Sequence, residues 1–211
     1  MALVFDERGL VPVIVQDELT GEIRMLAWAD AAALNATAAT GKATFFSRSR
    51  HRLWVKGETS GNTIAVARVL VDCDEDAVLY VGRPAGPSCH TGAASCFFRD
   101  SSGEATAPAP FLLRLEQVLE ERKIETAKAS YVKSLYDGGP ARIGEKLREE
   151  AAELGHALAN ESDERVAEEA ADLRFHAMVG LRARSVPLAD VLAVLARRFG
   201  TSGHVEKASR G

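Results

Sequence analysis

The stretch "TIAVARVLVDCDEDAVLYVG", residues 63–82, places two runs rich in β-branched residues on either side of a short acidic segment. Such runs are typical of strands, and the acidic segment predicts a turn at residues 72–76. A helix is predicted within "AWADAAALNATAATGK", residues 27–42, with Asp30 as its N-terminal cap and Gly41 at its end. With the other short strand-like runs before residue 100, these elements predict an α+β domain with a mainly antiparallel sheet.

The composition changes after residue 100. The run "SSGEATAPAP", residues 101–110, is rich in small residues and proline and cannot build a core. Helical periodicity then continues almost to the C-terminus. We therefore predict two domains, residues 1–103 and 112–211, joined by a linker at 104–111. The second domain should be an all-α helical bundle, with helices at about 111–135, 141–160, 162–184 and 187–199.

The overall composition is that of a soluble globular protein. Its 211 residues are 46% hydrophobic and 27% charged, and the formal net charge is −4. No apolar run approaches the roughly 20 residues that a membrane span needs, and no basic tail predicts nucleic-acid binding. The N-terminal "MALVFDERGL" lacks the pattern of a secretory signal, so we expect a cytoplasmic protein with reduced cysteines.

The predicted acidic turn contains Asp72, Asp74 and Asp76 at alternate positions. In extended chain these side chains would project to one side, where three like charges repel one another. Either a cation or full exposure to water must relieve that repulsion. Mg²⁺ is the natural cation for hard oxygen ligands, whereas the pattern by itself is equally compatible with a solvated turn.

All three cysteines of the chain lie near this turn, Cys73 within it and Cys89 and Cys96 in "SCHTGAASC", residues 88–96. Thiolates bind Zn²⁺, and three protein ligands are typical of a catalytic zinc site that keeps one position for water. His90 as a fourth ligand would instead close the site. Three buried apolar cysteines are the alternative without a metal.

The segment "FFSRSRHRLWVKGETSGNT", residues 45–63, is basic and ends in a glycine-containing turn. Arginine pairs with phosphate in a bidentate manner, and backbone N–H groups of such turns also bind anions. A phosphorylated small molecule fits this short cluster better than a polymer does, because the chain as a whole is acidic. A solvated basic strand is the alternative.

These three segments resemble the signature segments of phosphoribosyl-AMP cyclohydrolase, over roughly residues 9–99. The resemblance implies hydrolysis of the adenine ring between N1 and C6, zinc at Cys73, Cys89 and Cys96 shared between the chains of a homodimer, and magnesium at Asp72, Asp74 and Asp76. We predict His90 as the proton carrier, because an imidazole suits transfer in either direction. The predicted contacts to substrate phosphate and ribose are Arg48, Arg50, Lys56, Ser60 and Asn62. "MLAWAD", residues 25–30, departs from the more usual tyrosine and asparagine.

The second half carries two acidic groups at helical spacing, "EEAAE" at 149–153 and "EAAD" at 169–172. We predict apolar stripes of Leu147, Ala151, Leu154 and Leu158 on one helix and of Val166, Ala170, Leu173, Ala177 and Leu181 on the next. The carboxylates would then lie on the flank of each stripe. Two helices that each bring an acidic pair to the edge of a core can bind Mg²⁺, although glutamate is also common on solvated helix faces.

This arrangement, with "ASYVKSLYDGG" before it, resembles the all-α nucleotide pyrophosphohydrolases, and specifically phosphoribosyl-ATP pyrophosphatase, over roughly residues 111–199. The resemblance implies attack of water on the α-phosphorus with release of pyrophosphate. It also implies magnesium at Glu150, Glu153, Glu169 and Asp172, with Glu149 as a further candidate. Lys128, Lys133 and Lys146 are candidate triphosphate contacts. Leu147 and Arg148 depart from a more usual Val-Gly pair, and neither change removes a carboxylate.

The two resemblances support each other, because the product of the pyrophosphatase implied for the C-terminal domain is the substrate of the cyclohydrolase implied for the N-terminal domain. Together they imply a bifunctional hydrolase of histidine biosynthesis that acts on small phosphoribosyl nucleotides with Zn²⁺ and Mg²⁺. Two other readings remain open at this point. One is a nucleotide-sanitising pyrophosphohydrolase with a zinc-binding regulatory domain, and the other is a zinc-stabilised binding module without activity.

Overall fold

The computed structural model describes residues 3–124 and 130–199, and its chain divides into two compact units, Met1–Pro110 and Phe111–Gly211. The first unit is rich in strands and the second is helical. Within the described ranges, no helix combines the length and the apolar character that crossing a membrane requires.

A single six-stranded sheet forms the frame of the strand-rich unit. Its strands are β1 (Val11–Asp17), β2 (Ile23–Ala29), β3 (Thr44–Ser47), β4 (Arg52–Val55), β5 (Ile64–Val71) and β6 (Val78–Pro84). They lie in the order β4-β3-β2-β1-β6-β5, and each neighbouring pair is antiparallel except β1 and β6. The predicted α+β class with a mainly antiparallel sheet is confirmed.

The hairpin predicted from residues 63–82 is also confirmed, since β5 pairs antiparallel with β6 up to Val71 and Val78. The turn predicted at residues 72–76 is confirmed. The chain is not extended throughout it, because Glu75 adopts a left-handed conformation with φ of 63°. The carboxylate of Asp72 accepts a hydrogen bond of 3.0 Å from the backbone N–H of Ala77, which closes the turn.

The helix α1 (Ala31–Thr40) begins and ends where the sequence predicts. The Asp30 carboxylate accepts a 2.7 Å hydrogen bond from the backbone N–H of Ala33, which satisfies a donor that the helix leaves free. Gly41 ends the helix with φ of 67°, a conformation that glycine adopts without steric cost. The Thr37 hydroxyl then accepts from the backbone N–H of Thr44, so α1 is tied to the start of β3.

The core of this unit lies on one face of the sheet. Alternate residues of β1, namely Val11, Val13 and Val15, are fully buried, as the period of two along a strand requires. Phe45 and Tyr80 pack against each other with ring centroids 5.7 Å apart. Strands β1, β3 and β6 therefore share a single apolar core.

The helical unit contains α2 (Phe111–Ile124), α3 (Tyr131–Asn160), α4 (Asp163–Ala183) and α5 (Leu188–Arg198). The predicted first helix at 111–135 is wrong in extent, because Ser130 is extended and caps the start of the separate helix α3. Lys128 lies outside the described residues. The break predicted at "DGGP" is only a kink inside α3, where Gly139 has non-helical angles before Pro140.

The faces that α3 and α4 bury also differ from the prediction. On α3 the buried positions are Ile143, Glu150 and Ala157, and on α4 they include Glu169 and His176. The predicted stripes are wrong in part: Leu147 packs against the core of this unit, whereas Ala151 and Ala170 are exposed and Leu158 is 67% exposed. Hydrophobic periodicity does not show that Glu150 and Glu169 are buried, because polar partners and not water compensate their charge.

The N-terminal cap of α1 gives a first prediction. Asp30→Ala removes the acceptor for the Ala33 N–H, so we expect the strand-rich unit to lose about 1 kcal/mol of unfolding free energy. The two tryptophans of the chain, Trp28 and Trp54, both lie in this unit, so their fluorescence during guanidinium denaturation of the full chain measures it. Asp30→Ser keeps a capping oxygen and should retain most of the stability; equal losses in both variants would contradict the role of the cap.

Candidate active sites

One cavity of the strand-rich unit, with a volume of about 510 Å³, gathers most of the residues predicted for its site. Lys56 and the turn that follows it form one wall, and the loop that carries the cysteines forms the other. The predicted residues in its lining are Arg50, Lys56, Ser60, Asn62, Cys89, His90 and Cys96. A cavity with both cationic and thiol groups is suited to an anionic ligand beside a soft metal.

Arg48 does not line this cavity. Its guanidinium lies over the ring of Trp28, 4.9 Å from the centroid, in the connection between β3 and β4. This cation–π contact gives Arg48 a structural partner within the unit. Its predicted contact with substrate stays a prediction.

Lys56 is buried, and a tight turn holds it in place. Its ammonium donates to the backbone carbonyl of Asn62 at 3.1 Å. Gly57 has φ of 82°, and a Cβ there would lie 2.4 Å from the backbone carbon of Asn62, so only glycine fits. Burial lowers the pKa of Lys56, whereas the thiols of Cys96 and Cys89 raise it. The ammonium therefore lies close enough to both sulfurs to interact with them.

The loop between Cys89 and Cys96 folds back on itself. Backbone N–H groups of Ser88 and Cys89 donate to the carbonyls of Ala94 and Ala93, both at 3.1 Å. The Thr91 hydroxyl donates to the Cys89 sulfur at 3.1 Å, and this bond lowers the pKa of that thiol. Cys96 is exposed as a residue, but partial desolvation of its thiol, followed by the effect of Cys89, raises its pKa to about 11. The two thiols are thus neighbours in different electrostatic surroundings.

Arg24 of β2, which the sequence reasoning missed, fastens this loop to the sheet. Its guanidinium pairs with Glu22 at 2.6 Å and donates to the Ser88 hydroxyl and the Gly86 carbonyl, both at 3.3 Å. Its own backbone carbonyl accepts from the Cys96 N–H at 2.8 Å. Both ends of the cysteine loop are therefore attached at one residue. The charged pair in the strand-like run "GEIRML" is the signal that could have indicated it.

This anchor leads to a second prediction. Arg24→Met leaves the Glu22 carboxylate buried without its partner, so we expect a loss of about 3 kcal/mol of unfolding free energy. Tryptophan fluorescence during guanidinium denaturation measures this loss. The matched control is the double variant Arg24→Met with Glu22→Met. Removing both charges should cost less than removing Arg24 alone; a double variant that is less stable than the single one would contradict this assignment.

The third cysteine and the three aspartates lie on the turn between β5 and β6. Ligand oxygens of Asp72, Asp74 and Asp76 lie within 4.8 Å of one another, and all three residues are exposed. Repulsion from Asp74 and then Asp72 raises the pKa of Asp76. Cys73 is exposed, and in the described ranges it does not meet Cys89 and Cys96 within that distance. One chain therefore brings two of the three thiols together.

A second acidic group lies between α3 and α4. Ligand oxygens of Glu150, Glu169 and Asp172 come within 4.8 Å of one another, and the two glutamates are buried. Glu153 lies outside this group and is exposed. Desolvation and then the charges of Glu150 and Glu169 raise its pKa, so it still belongs to the same electrostatic environment.

Cations of the same helices balance this acidic group. Lys146 lies 2.9 Å from carboxylate oxygens of both Glu149 and Glu150, and these hydrogen bonds raise its pKa. Arg165, which the sequence reasoning missed, contacts Glu169 four residues further along α4. Lys133 instead pairs with Asp137 on the first turns of α3.

The buried His176 joins the acidic group to the start of α3. Its Nδ1 lies 2.9 Å from the backbone carbonyl of Asp172 and 3.5 Å from Glu150, and its Nε2 lies 2.7 Å from the Tyr131 hydroxyl. The tautomer with the proton on Nδ1 satisfies all these contacts, because Tyr131 then donates to Nε2. The ring thus supports both carboxylate-bearing helices.

Two family models match the chain, one in each unit. The model for phosphoribosyl-AMP cyclohydrolase matches residues 25–98, and the model for phosphoribosyl-ATP pyrophosphohydrolase matches residues 112–199. Three curated relatives are each described as "Histidine biosynthesis bifunctional protein HisIE". They come from Caldanaerobacter subterraneus subsp. tengcongensis (42% identity, 93% of this chain and 96% of the relative), Bacillus subtilis (44%, 93% and 94%) and Aquifex aeolicus (43%, 94% and 99%). The chain belongs to this bifunctional family.

Membership of the family fixes the broad activity. The chain is a bifunctional hydrolase of histidine biosynthesis, with a phosphoribosyl-AMP cyclohydrolase and a phosphoribosyl-ATP pyrophosphohydrolase. Small phosphoribosyl nucleotides are the substrates consistent with it, and the family is metal-dependent in general. The cyclohydrolase match contains the cavity with its two thiols, and the pyrophosphohydrolase match contains the acidic group between α3 and α4.

Proposed function

We propose that the chain catalyses two consecutive hydrolyses. The helical unit hydrolyses phosphoribosyl-ATP to phosphoribosyl-AMP and pyrophosphate, and the strand-rich unit opens the adenine ring of that product between N1 and C6. The observation that carries this proposal is that each unit has its own set of donors: two thiols line a cavity of the strand-rich unit, which also carries an exposed group of aspartates, whereas the buried carboxylates gather in the helical unit. Soft and hard ligands select different metals, which suits two different hydrolytic steps. We further propose that residues 1–103 and 112–211 form the two domains of a cytoplasmic enzyme, joined by a linker at 104–111.

In the cyclohydrolase, Cys89 and Cys96 are proposed to hold zinc together with Cys73. The donor set fits, because two thiols are already adjacent in the cavity and thiolate is the preferred zinc ligand. When bound, zinc lowers the pKa of a bound water toward about 7 and so supplies hydroxide at neutral pH. Asp72, Asp74 and Asp76 are proposed to hold magnesium, which would relieve the mutual repulsion of their carboxylates.

The cavity residues of the chain are proposed to bind the substrate and move the proton. Arg50 and Lys56 carry positive charge at the cavity and are suited to the phosphate, while Ser60 and Asn62 provide hydrogen bonds for the ribose. Arg48 is retained as an outer phosphate contact. His90 is exposed next to Cys89, so its ring can reach both the cavity and solvent and carry a proton between them.

Three ligands for one zinc are proposed to come from two chains of a homodimer. This explains why Cys73, on the exposed turn between β5 and β6, lies apart from Cys89 and Cys96 within the described part of one chain. Closed two-fold symmetry would then create two equivalent sites per dimer. Each site would combine Cys73 of one chain with the cysteine loop of its partner.

Ligand sharing predicts that two inactive variants complement each other. Cys73→Ala and Cys89→Ala should each lose ring opening when expressed alone, because every site lacks one ligand. Co-expression restores one intact site in each mixed dimer, so random pairing should recover about a quarter of the wild-type ring-opening rate. Recovery of no activity, with mixed dimers demonstrated by differential tags, would contradict sharing.

In the pyrophosphohydrolase, Glu150, Glu169 and Asp172 are proposed to hold magnesium, with Glu153 completing the acidic side of the site. The donors fit, since three carboxylates already converge and Mg²⁺ prefers oxygen ligands. Bound magnesium neutralises charge on the triphosphate during attack at the α-phosphorus. Lys146 lies beside Glu149 and Glu150 and is suited to contact the triphosphate, and Lys133 is retained as a more distant candidate.

If the two reactions use separate sites, a substitution in the helical unit should abolish pyrophosphate release and leave ring opening unchanged. Asp172→Ala should lower pyrophosphate release from phosphoribosyl-ATP by at least about a hundredfold, because it removes a proposed ligand that is exposed and so costs little stability. The same protein supplied with phosphoribosyl-AMP should open the ring at the wild-type rate. Asp163→Ala removes a carboxylate from the first turn of α4, away from the acidic group, and serves as the control. Pyrophosphate release at the wild-type rate in Asp172→Ala would refute the assignment.

A further inference from the structure

The two buried glutamates of the acidic group each have a cation at the same place on their own helix. Lys146 precedes Glu150 by four residues on α3, and Arg165 precedes Glu169 by four residues on α4. At this spacing the two side chains lie one above the other on the helix surface. The chain therefore places its own positive charges against the carboxylates proposed to bind magnesium.

Arg165 differs from Lys146 in its exposure. Its side chain is 51% exposed, whereas that of Lys146 is 16% exposed. The Arg165 guanidinium nevertheless reaches the Glu169 carboxylate, which is itself only 7% exposed. The Arg165 guanidinium, which can turn toward solvent, is thus paired with a Glu169 carboxylate oxygen that a bound metal would need.

Two further carboxylates give the Arg165 guanidinium other partners. Its Nε lies 3.2 Å from Glu161, and another of its nitrogens pairs with Glu168. Both acceptors are more exposed than Glu169. Because the guanidinium has several donors, it can release Glu169 and still keep an ion pair.

Space is also present for that movement. A cavity of about 410 Å³ between the second half of α3 and the start of α4 is lined by Glu153, His156, Glu161, Arg165 and Glu169. The guanidinium therefore lies at the border between the acidic group and open volume.

We propose that Arg165 is an internal counter-cation that competes with the divalent metal for Glu169 and so sets the metal concentration at which the pyrophosphohydrolase site fills. The inference rests on the proposed magnesium role of Glu150, Glu169 and Asp172. Without a metal, Arg165 relieves the repulsion among these carboxylates. With the metal bound, the guanidinium releases Glu169 and keeps its ion pairs with Glu161 and Glu168. Arg165 is thus a positioning residue that acts through Glu169.

The test measures metal binding and not turnover. The full-length protein is freed of divalent ions and titrated with Mn²⁺, which is followed by electron paramagnetic resonance as a stand-in for Mg²⁺. The relevant Mn²⁺ site is identified as the one that Glu169→Gln removes. Arg165→Gln should bind Mn²⁺ at this site about two- to fivefold more tightly than the wild type, because a partly exposed ion pair contributes at most that much.

Two variants separate competition from a general effect of charge or stability. Arg165→Lys keeps the positive charge and should bind Mn²⁺ much like the wild type. Arg114→Gln removes an arginine that lies over the Phe111 ring on α2, and it should leave the affinity unchanged. The gain in Arg165→Gln should also shrink as potassium chloride screens the charge of Arg165.

The two possible failures are distinct. Equal or weaker Mn²⁺ binding by Arg165→Gln at a site that Glu169→Gln removes would overturn the role of Arg165 and leave the magnesium site in place. If Glu169→Gln removes no Mn²⁺ site from the wild type, the magnesium proposal fails, and the competition proposed for Arg165 fails with it. A structural role for Arg165 alone predicts weaker binding on its removal, so the expected gain distinguishes competition from a purely structural role.

Discussion

Buried ionisable groups can be tolerated only when each has a partner, and both units of the chain are organised around this constraint. Within the described residues, no buried side-chain nitrogen or oxygen lacks a hydrogen-bond partner. Arg24 and Glu22 form the buried pair that fastens the cysteine loop to β2, and Lys56 is held by a carbonyl of the following turn. In the helical unit, Lys146 and His176 contact the buried Glu150. The groups proposed for chemistry are thus placed by neighbours that compensate their charge.

The sequence predicted the fold well where local signals were strong. The cap at Asp30, the glycine that ends α1, and the β-branched runs of β5 and β6 each determine the conformation of their own segment, and each was found. The faces of α3 and α4 were predicted only in part, because hydrophobic periodicity placed Glu150 and Glu169 on the flank of each stripe and not among the buried residues. Their burial depends on partners from other turns and other helices, and a stripe of apolar residues carries no information about such partners.

The candidate sites were predicted to a similar extent. The motif segments supplied seven predicted residues that share the cavity, because each was close in sequence to a recognisable turn or thiol, whereas Arg48, Cys73 and the three aspartates of the β5–β6 turn do not line it. The supporting residues were missed. Arg24 precedes Ser88 by 64 positions in the chain and Tyr131 precedes His176 by 45, so only the folded chain shows that they meet. Arg165 had a local signal, its spacing from Glu169, but that signal is common on ordinary helices.

The central claim is that one chain carries two hydrolytic sites, of which only the cyclohydrolase site depends on zinc. The most direct measurement is turnover of phosphoribosyl-ATP by the purified protein in Mg²⁺, with pyrophosphate release and adenine-ring opening followed together before and after removal of zinc by a selective chelator. The account predicts that ring opening stops and returns with added Zn²⁺, while pyrophosphate release continues at its original rate and phosphoribosyl-AMP accumulates. Loss of both activities on zinc removal, or persistence of ring opening in protein shown to contain no zinc, would contradict it.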